Sequence, residues 1–278
     1  MKKILFTCDG EHFYRSAFKM AASLNNQEKI FLKGIFVPSI DYSIMVSLAS
    51  ADSYEGMMPP ELFDQEEKAM DKSIAEFETL CKENGVSYDL YKHTGFESLQ
   101  VLLDEARFSD LILLGSDHFI SVLDRTLPNM EMNQLLHDTE CPVLLVPPNF
   151  VEPECIVFAY DGGASCMAAA KQFGALMASY TKLPFKAVFF SSSSEGKAPY
   201  EAMVIEYLSC HYKDFKLNVS DRISGKNLEK WMAAYNNPLI VTGSYSRGGL
   251  SRVFKRSFIS DAITNHQNPI FLFHVKEK

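Results

Sequence analysis

The 278-residue chain lacks several features that would assign it to a class at once. Its six cysteines form no CxxC pair and no Cys/His spacing suited to zinc, so we interpret them as buried, reduced thiols. Acidic residues outnumber basic ones, 35 to 27, which argues against non-specific binding to nucleic acid or to an anionic membrane. No apolar run approaches the roughly 20 residues of a membrane span, and Asp9 follows the basic N-terminus too soon for a signal peptide. We therefore expect a cytoplasmic globular protein with no nucleic-acid or membrane partner.

Common catalytic signatures are missing as well. The chain has no GxxxxGK[ST] loop, no GxSxG elbow, no HExxH and no GxGxxG. His118, His137 and His211 are scattered, and the segments DGEHF and SDHF place neighbouring residues on one loop, which seldom completes a metal coordination sphere. We expect no enzyme and no metal site.

What the chain does have is an internal repeat. Three landmarks recur in the same order, and they pair as KKILFTCDG (2–10) with ECIVFAYDG (154–162), DLILLGS (110–116) with PLIVTGS (238–244), and CPVLLVP (141–147) with NPIFLFH (268–274). The repeat predicts two domains, 1–150 and 151–278. The first is the longer, and we place its extra residues in a loop over 38–60.

Apolar, strand-like runs alternate with amphipathic helical segments in both halves. We predict strands at 3–8, 30–37, 86–92, 110–115, 143–147, 155–160, 185–191, 215–220, 238–242 and 270–274. We predict helices at 13–24, 61–84, 96–108, 130–138, 165–180, 198–212, 226–235 and 257–266. Strict alternation indicates parallel strands joined by right-handed crossovers, with helices on both faces. The fold prediction is α/β, with two tandem doubly wound, five-stranded parallel sheets.

One loop carries an unusual charge for this acidic chain. GSYSRGGLSRVFKRSF (243–258) has four basic residues and no acidic one, and it follows the fourth strand of the second half. Ligands of doubly wound sheets bind at the carboxyl ends of strands where the strand order reverses. Small residues, hydroxyls and a following helix N-terminus suit a phosphate there, whereas the alternative is a flexible basic loop. The matching first-half stretch, 115–129, has two aspartates against one arginine and would repel phosphate.

These features together resemble the universal stress protein family, as a tandem of two domains. The resemblance rests on a first strand ending in Asp (Asp9, Asp161), on Gly-Ser after the fourth strand (Gly115, Gly243), on SRGGLSRVFKRS and on CPVLLVP. It implies an adenine nucleotide alpha hydrolase-like fold and a stress-response regulatory protein. ATP or AMP would be the ligand, with or without Mg²⁺, and slow ATP hydrolysis beside Asp161 and a Mg²⁺ ion is an open alternative. The alternative is a nucleotide-free adaptor of the same fold that acts through contacts with an unknown protein partner.

Nucleotide-binding members of that family share a loop of Gly, two residues, Gly, nine residues, Gly and then Ser or Thr. Gly243 and Ser257 agree with this spacing, but Ser246 and Arg256 stand where glycines are expected. Arg256 would either block a close backbone approach or pair with a phosphate. Only Gly115 agrees in the first half, so the resemblance implies a site in the second half alone.

The site residues that the resemblance implies are Asp161, Gly162, Phe189, Thr242, Gly243, Ser244, Ser246, Arg247, Gly248, Arg256, Ser257 and Phe258. Asp161 and either Phe189 or Phe190 would face the adenosine. The resemblance also implies that the closing strands, 143–147 and 270–274, lie against one another. The chain would then be an intramolecular pseudo-dimer, and a homodimer is a further option.

Overall fold

Strands and helices alternate along the chain as predicted. The computed structural model describes residues 1–9, 12–38, 60–93, 98–116, 130–191, 198–213, 215–221, 234–243 and 268–275. The strands are β1 (Lys2–Asp9), β2 (Ile30–Val37), β3 (Ser87–Lys92), β4 (Leu111–Gly115), β5 (Val143–Val146), β6 (Cys155–Tyr160), β7 (Phe185–Ser191), β8 (Lys216–Asp221), β9 (Pro238–Gly243) and β10 (Ile270–Phe273). The helices are α1 (Arg15–Gln27), α2 (Pro60–Glu83), α3 (Ser98–Ala106), α4 (Met130–Asp138), α5 (Ala164–Leu176) and α6 (Glu201–His211), with a 3₁₀ helix over Tyr180–Lys182.

The described strands form one sheet of ten, in the order β3-β2-β1-β4-β5-β10-β9-β6-β7-β8. This confirms the α/β class and the parallel pairing within each half. The prediction of two separate sheets is corrected, because β5 and β10 pair antiparallel with Ile270 opposite Leu145 and Leu272 opposite Val143. Each of these strands would otherwise be a sheet edge with unpaired N–H and C=O groups. The expected contact between the closing strands is confirmed.

The core lies on both faces of this sheet. The central strands β4, β6 and β9 are buried at every residue, whereas the edge strand β3 alternates between exposed and half-buried positions. On the face covered by α1, α2, α5 and α6, one apolar cluster runs through both halves and includes Phe6, Phe77 and Phe173. Phe6 and Phe77 stack with ring centroids 5.6 Å apart. Full burial of such a side chain contributes about 1.5 to 3 kcal/mol, so this continuous core holds the two halves together.

Helix α5 is shorter than predicted. It ends at Leu176 rather than near 180, because the backbone of Met177 is non-helical, with ψ at 43°. The turn that follows buries the ring of Tyr180 at 2% exposure, and its hydroxyl donates to the Glu152 carboxylate at 2.7 Å. Ser23 of α1 donates to the same carboxylate oxygen at 2.6 Å. A carboxylate in the connection between the halves therefore ties a first-half helix to the second half.

The cysteines are all free thiols. Five are buried as expected, but Cys210 is exposed. Burial raises the pKa of both Cys81 and Cys141 to about 12. The buried thiols are therefore neutral and unreactive at ordinary pH.

Several predictions fall wholly or largely outside the described residues. They are the loop at 38–60, the helices at 226–235 and 257–266, and most of the basic loop at 243–258. Among the helices that are described, none has the length and apolar character needed to cross a bilayer.

Candidate functional site

The strand order of the second half reverses at β6. Strand β7 lies on one side of β6 and β9 on the other, so the carboxyl ends of β6 and β9 flank the reversal. The register pairs Ala159 with Thr242, which brings Gly243 beside Tyr160 and Asp161 just beyond it. The structure thus brings Asp161, Gly162, Thr242 and Gly243 together where doubly wound sheets bind ligands.

Asp161 forms a local Asx turn immediately before α5. Its Oδ1 accepts a hydrogen bond from the backbone N–H of Gly163, the residue before α5, at 2.7 Å. The first turn of α5 has no acidic residue, and Gly163 has no side chain to cap it. The half-buried Asp161 carboxylate therefore lies beside the partly positive end of a helix, an environment that favours negative charge.

Gly162 is a position that only glycine fits. Its φ is +86°, and a Cβ placed there would lie 2.8 Å from Cγ of Pro199. The hydroxyl of Tyr160 donates to the Pro199 carbonyl at 3.0 Å, and burial raises the pKa of this tyrosine to about 12. The entry to α6 is thereby held against the end of β6 and forms one wall of the site.

Gly243 is required by packing. A Cβ on this residue would lie 2.5 Å from the backbone nitrogen of Cys166 and 2.7 Å from the carbonyl carbon of Ser165. The first turn of α5 therefore lies directly against the end of β9. Thr242, 3% exposed, donates to the Ala159 carbonyl at 3.4 Å, so its hydroxyl has a partner within the sheet.

Phe189 lies in the core rather than at the open edge. It is 5% exposed, and its ring centroid lies 6.0 Å from that of Tyr160. At 5% exposure it offers little surface for the predicted contact with adenosine. The other predicted site residues lie outside the described part of the chain; they are Ser244, Ser246, Arg247, Gly248, Arg256, Ser257 and Phe258.

The corresponding edge of the first half is built differently. A Cβ on Gly115 would lie 2.4 Å from the ring of Tyr14, which is 8% exposed. The ring of Tyr14 thus covers the glycine that corresponds to Gly243. This difference was not predicted from the sequence, although Tyr14 just before α1 and Gly163 just before α5 already distinguish the two halves.

A histidine pair at the seam was also missed. The rings of His137, on α4, and His274, just after β10, lie 6.4 Å apart, and Nδ1 of His137 lies 2.6 Å from Oδ1 of Asp138. Val275 donates its backbone N–H to Oγ of Ser165, in the first turn of α5, at 3.2 Å. The antiparallel joint between β5 and β10 thus brings the end of a first-half helix close to the second-half edge.

Within the described residues, no group of three or more His, Cys, Asp or Glu is arranged to hold a metal ion.

A cavity within the described residues lies elsewhere, between the C-terminal ends of α1 and α5. It contains none of the predicted site residues. The candidate site is defined instead by the reversal of strand order at β6.

Solved structures share this arrangement along nearly the whole chain. A universal stress protein from Archaeoglobus fulgidus DSM 4304 aligns over 98% of both chains with a TM-score of 0.65 and 13% identity. The chain has the universal stress protein fold. A putative universal stress protein from Pseudomonas aeruginosa UCBPP-PA14 aligns over 99% of this chain and 93% of its own, with a TM-score of 0.55 and 13% identity.

A functionally unknown protein from Pseudomonas aeruginosa PAO1 has the same fold, with a TM-score of 0.59 and 12% identity over 99% of this chain and 92% of its own. No protein-family model and no curated protein sequence matches the chain. Identities this low establish the universal stress protein fold and no shared activity.

Proposed function

We propose that the second half binds an adenine nucleotide, AMP or ATP, where β6 and β9 end, and that the bound nucleotide regulates contact with a protein partner in a stress response. The observation that best supports this is the meeting of Asp161, the N-terminus of α5 and Gly243 at the reversal of strand order. The division into domains 1–150 and 151–278 is part of the proposal.

Each part of the site has a distinct task in this proposal. The Asp161 carboxylate accepts hydrogen bonds from the adenosine, while the basic loop 243–258 holds the phosphate, with or without Mg²⁺. The uncapped first turn of α5 adds a positive potential. Among the site residues that the structure describes, none is a nucleophile paired with a base, and we propose a regulator rather than an enzyme.

The first half has no equivalent role in the proposal. The ring of Tyr14 covers Gly115, and the loop at 115–129 carries two aspartates where a phosphate would need positive charge. We therefore assign one nucleotide to each chain.

Titration with AMP and ATP, followed by calorimetry and thermal unfolding, tests the proposal. A ligand at a hundred times its dissociation constant stabilises the fold by about 2.7 kcal/mol.

Asp161→Asn keeps an oxygen acceptor for the Gly163 N–H but removes the charge, whereas Asp161→Ala removes both. We expect Asp161→Ala to weaken binding about tenfold, the loss of one charge-assisted hydrogen bond. Asp9→Asn, at the corresponding first-half position, should leave affinity unchanged.

A nucleotide-free adaptor is the second candidate. It is favoured by two large apolar side chains at the start of α6, Tyr200 and Met203, which are 70% and 69% exposed. Exposed apolar surface often marks a protein contact. If neither nucleotide stabilises the protein at millimolar concentration, the nucleotide proposal is wrong and the adaptor is the better explanation.

A further inference from the structure

A cavity of about 280 Å³ opens between the C-terminal ends of α1 and α5. Both halves line it, so neither half forms this cavity alone. Its volume is near the lower limit of small-molecule sites, which span about 300 to 1,000 Å³. Its lining includes Ile4, Leu24, Leu111, Met177, Ser179 and Lys182.

The floor of the cavity is apolar. Ile4, Leu24, Leu111 and Met177 are each no more than 6% exposed and belong to the packed core. These side chains are held by close packing, so the cavity is largely pre-formed. Because little of each side chain faces the opening, an apolar group that entered would contact mainly the half-buried Leu176 and small parts of these core side chains, which is favourable.

The polar groups of the rim are matched except for one. Lys2 forms an ion pair with Glu28, and the hydroxyl of Ser179 donates to Oε1 of Gln27, which links the two halves. Lys182 is exposed and makes no hydrogen bond or ion pair with any residue that the structure describes. Its ammonium group is therefore available to a ligand in the cavity.

The helix ends near the cavity disfavour an anionic ligand, whereas Lys182 favours one. The C-termini of α1 and α5 carry partial negative charge, and neither helix has a basic residue in its last turn. That effect is spread over several carbonyl groups and is weakened by solvent at an exposed rim. A direct, charge-assisted hydrogen bond between an ammonium and a carboxylate is the stronger of the two.

We propose that this cavity is a second binding site, which takes a small amphiphile with an apolar body and a carboxylate. The apolar body lies on the floor formed by the core side chains, and the carboxylate pairs with Lys182. The ligand touches both halves and strengthens the seam between them. This proposal is independent of the nucleotide site, because the two sites share no residue.

Three probes of equal chain length test the proposal on the full chain, namely octanoate, octanol and octylamine. We expect octanoate to bind most tightly by calorimetry and to raise the midpoint of thermal unfolding. Lys182→Gln should weaken octanoate binding about tenfold and leave octanol binding unchanged. Lys213→Gln, at an exposed lysine outside the cavity, is the matched control and should have no effect.

A second variant tests the apolar floor. Leu176→Trp puts a larger side chain at a half-buried lining position and should abolish octanoate binding in a protein that remains folded by circular dichroism. Equal affinity for the three probes, tighter binding of octylamine, or an equal effect of Lys213→Gln would overturn the proposal. So would unchanged octanoate binding by Leu176→Trp. Octanoate binding in a protein that ignores AMP and ATP would support this site and contradict the nucleotide proposal alone.

Discussion

Replacement of Gly243 by alanine should destabilise the protein, because the new methyl group has no space. The Cβ would lie 2.5 Å from the nitrogen of Cys166 and 3.0 Å from its Cα. These are backbone atoms of α5 and cannot rotate away, so β9 and the helix must separate. Overpacking of this kind costs about 1 to 3 kcal/mol, and we expect the upper part of that range.

Thermal and urea unfolding measure the effect. A loss of 1 kcal/mol lowers the melting temperature of a chain of about this length by roughly 2 to 4 °C, so we expect Gly243→Ala to melt about 5 to 10 °C lower. A variant as stable as the original protein would refute the close packing of α5 on β9.

Gly115→Ala is the matched control, at the corresponding place in the first half. The obstacle there is the ring of Tyr14, a side chain that can shift, so the loss should be smaller than for Gly243→Ala. In the background of Tyr14→Ala, where only the Cβ of residue 14 remains, 3.0 Å away, Gly115→Ala should cost much less than in the original protein, a non-additivity expected of residues in contact. A larger loss for Gly115→Ala than for Gly243→Ala would contradict this reasoning.

The same geometry decides which variants can test nucleotide binding. An aspartate at position 243 would push α5 away from β9 through its own Cβ. Lost affinity in Gly243→Asp would then report a packing defect rather than a lost ligand contact. Asp161, which is half-buried at the edge, is the better position to change.

Two further predictions concern stability. The pKa values of Cys81 and Cys141 are raised by burial from 9.0 to about 12, so folding keeps these thiols neutral; the contribution of these two thiols to stability should be constant below pH 9 and fall by about 1.4 kcal/mol per pH unit per thiol between pH 9 and 12. Cys141→Ala should reduce that slope in urea titrations. Tyr180→Phe removes the hydroxyl that donates to Glu152 and should lower the free energy of unfolding in urea by about 1 to 2 kcal/mol. Tyr91→Phe, at an exposed ring, is the control and should cost almost nothing. Equal losses of stability in the two variants would contradict a specific role for the hydrogen bond between Tyr180 and Glu152.

The repeat and the periodicity of the sequence predicted most of the fold. The helix predicted at 61–84 is observed as α2, and Met70, Phe77 and Cys81, which recur along it at helical spacing, are all buried. The strand predictions agree with the observed bounds to within about two residues. Local patterns carry this information because a residue's burial on one face of a helix or strand is decided by its immediate spacing.

The candidate site was predicted only in outline. The sequence placed Asp161 and Gly243 at strand ends, and the reversal of strand order does bring them together. It could not show that Gly243 is crowded by α5, nor that Phe189 packs beside Tyr160 in the core. Both facts depend on how a helix lies across neighbouring strands, which no local pattern encodes.

The amino-acid sequence by itself determined the order of strands and helices and the parallel pairing within each half, because alternation of short apolar runs with amphipathic helices permits few other topologies. Only the tertiary structure decided that β5 and β10 join the halves into one sheet, since their unpaired backbone groups can be satisfied by whichever strand comes within reach. That joint brings His137 near His274, while α1 and α5 meet across the seam and leave a cavity between their ends. Contacts between residues more than a hundred positions apart depend on the packed shape of the whole chain.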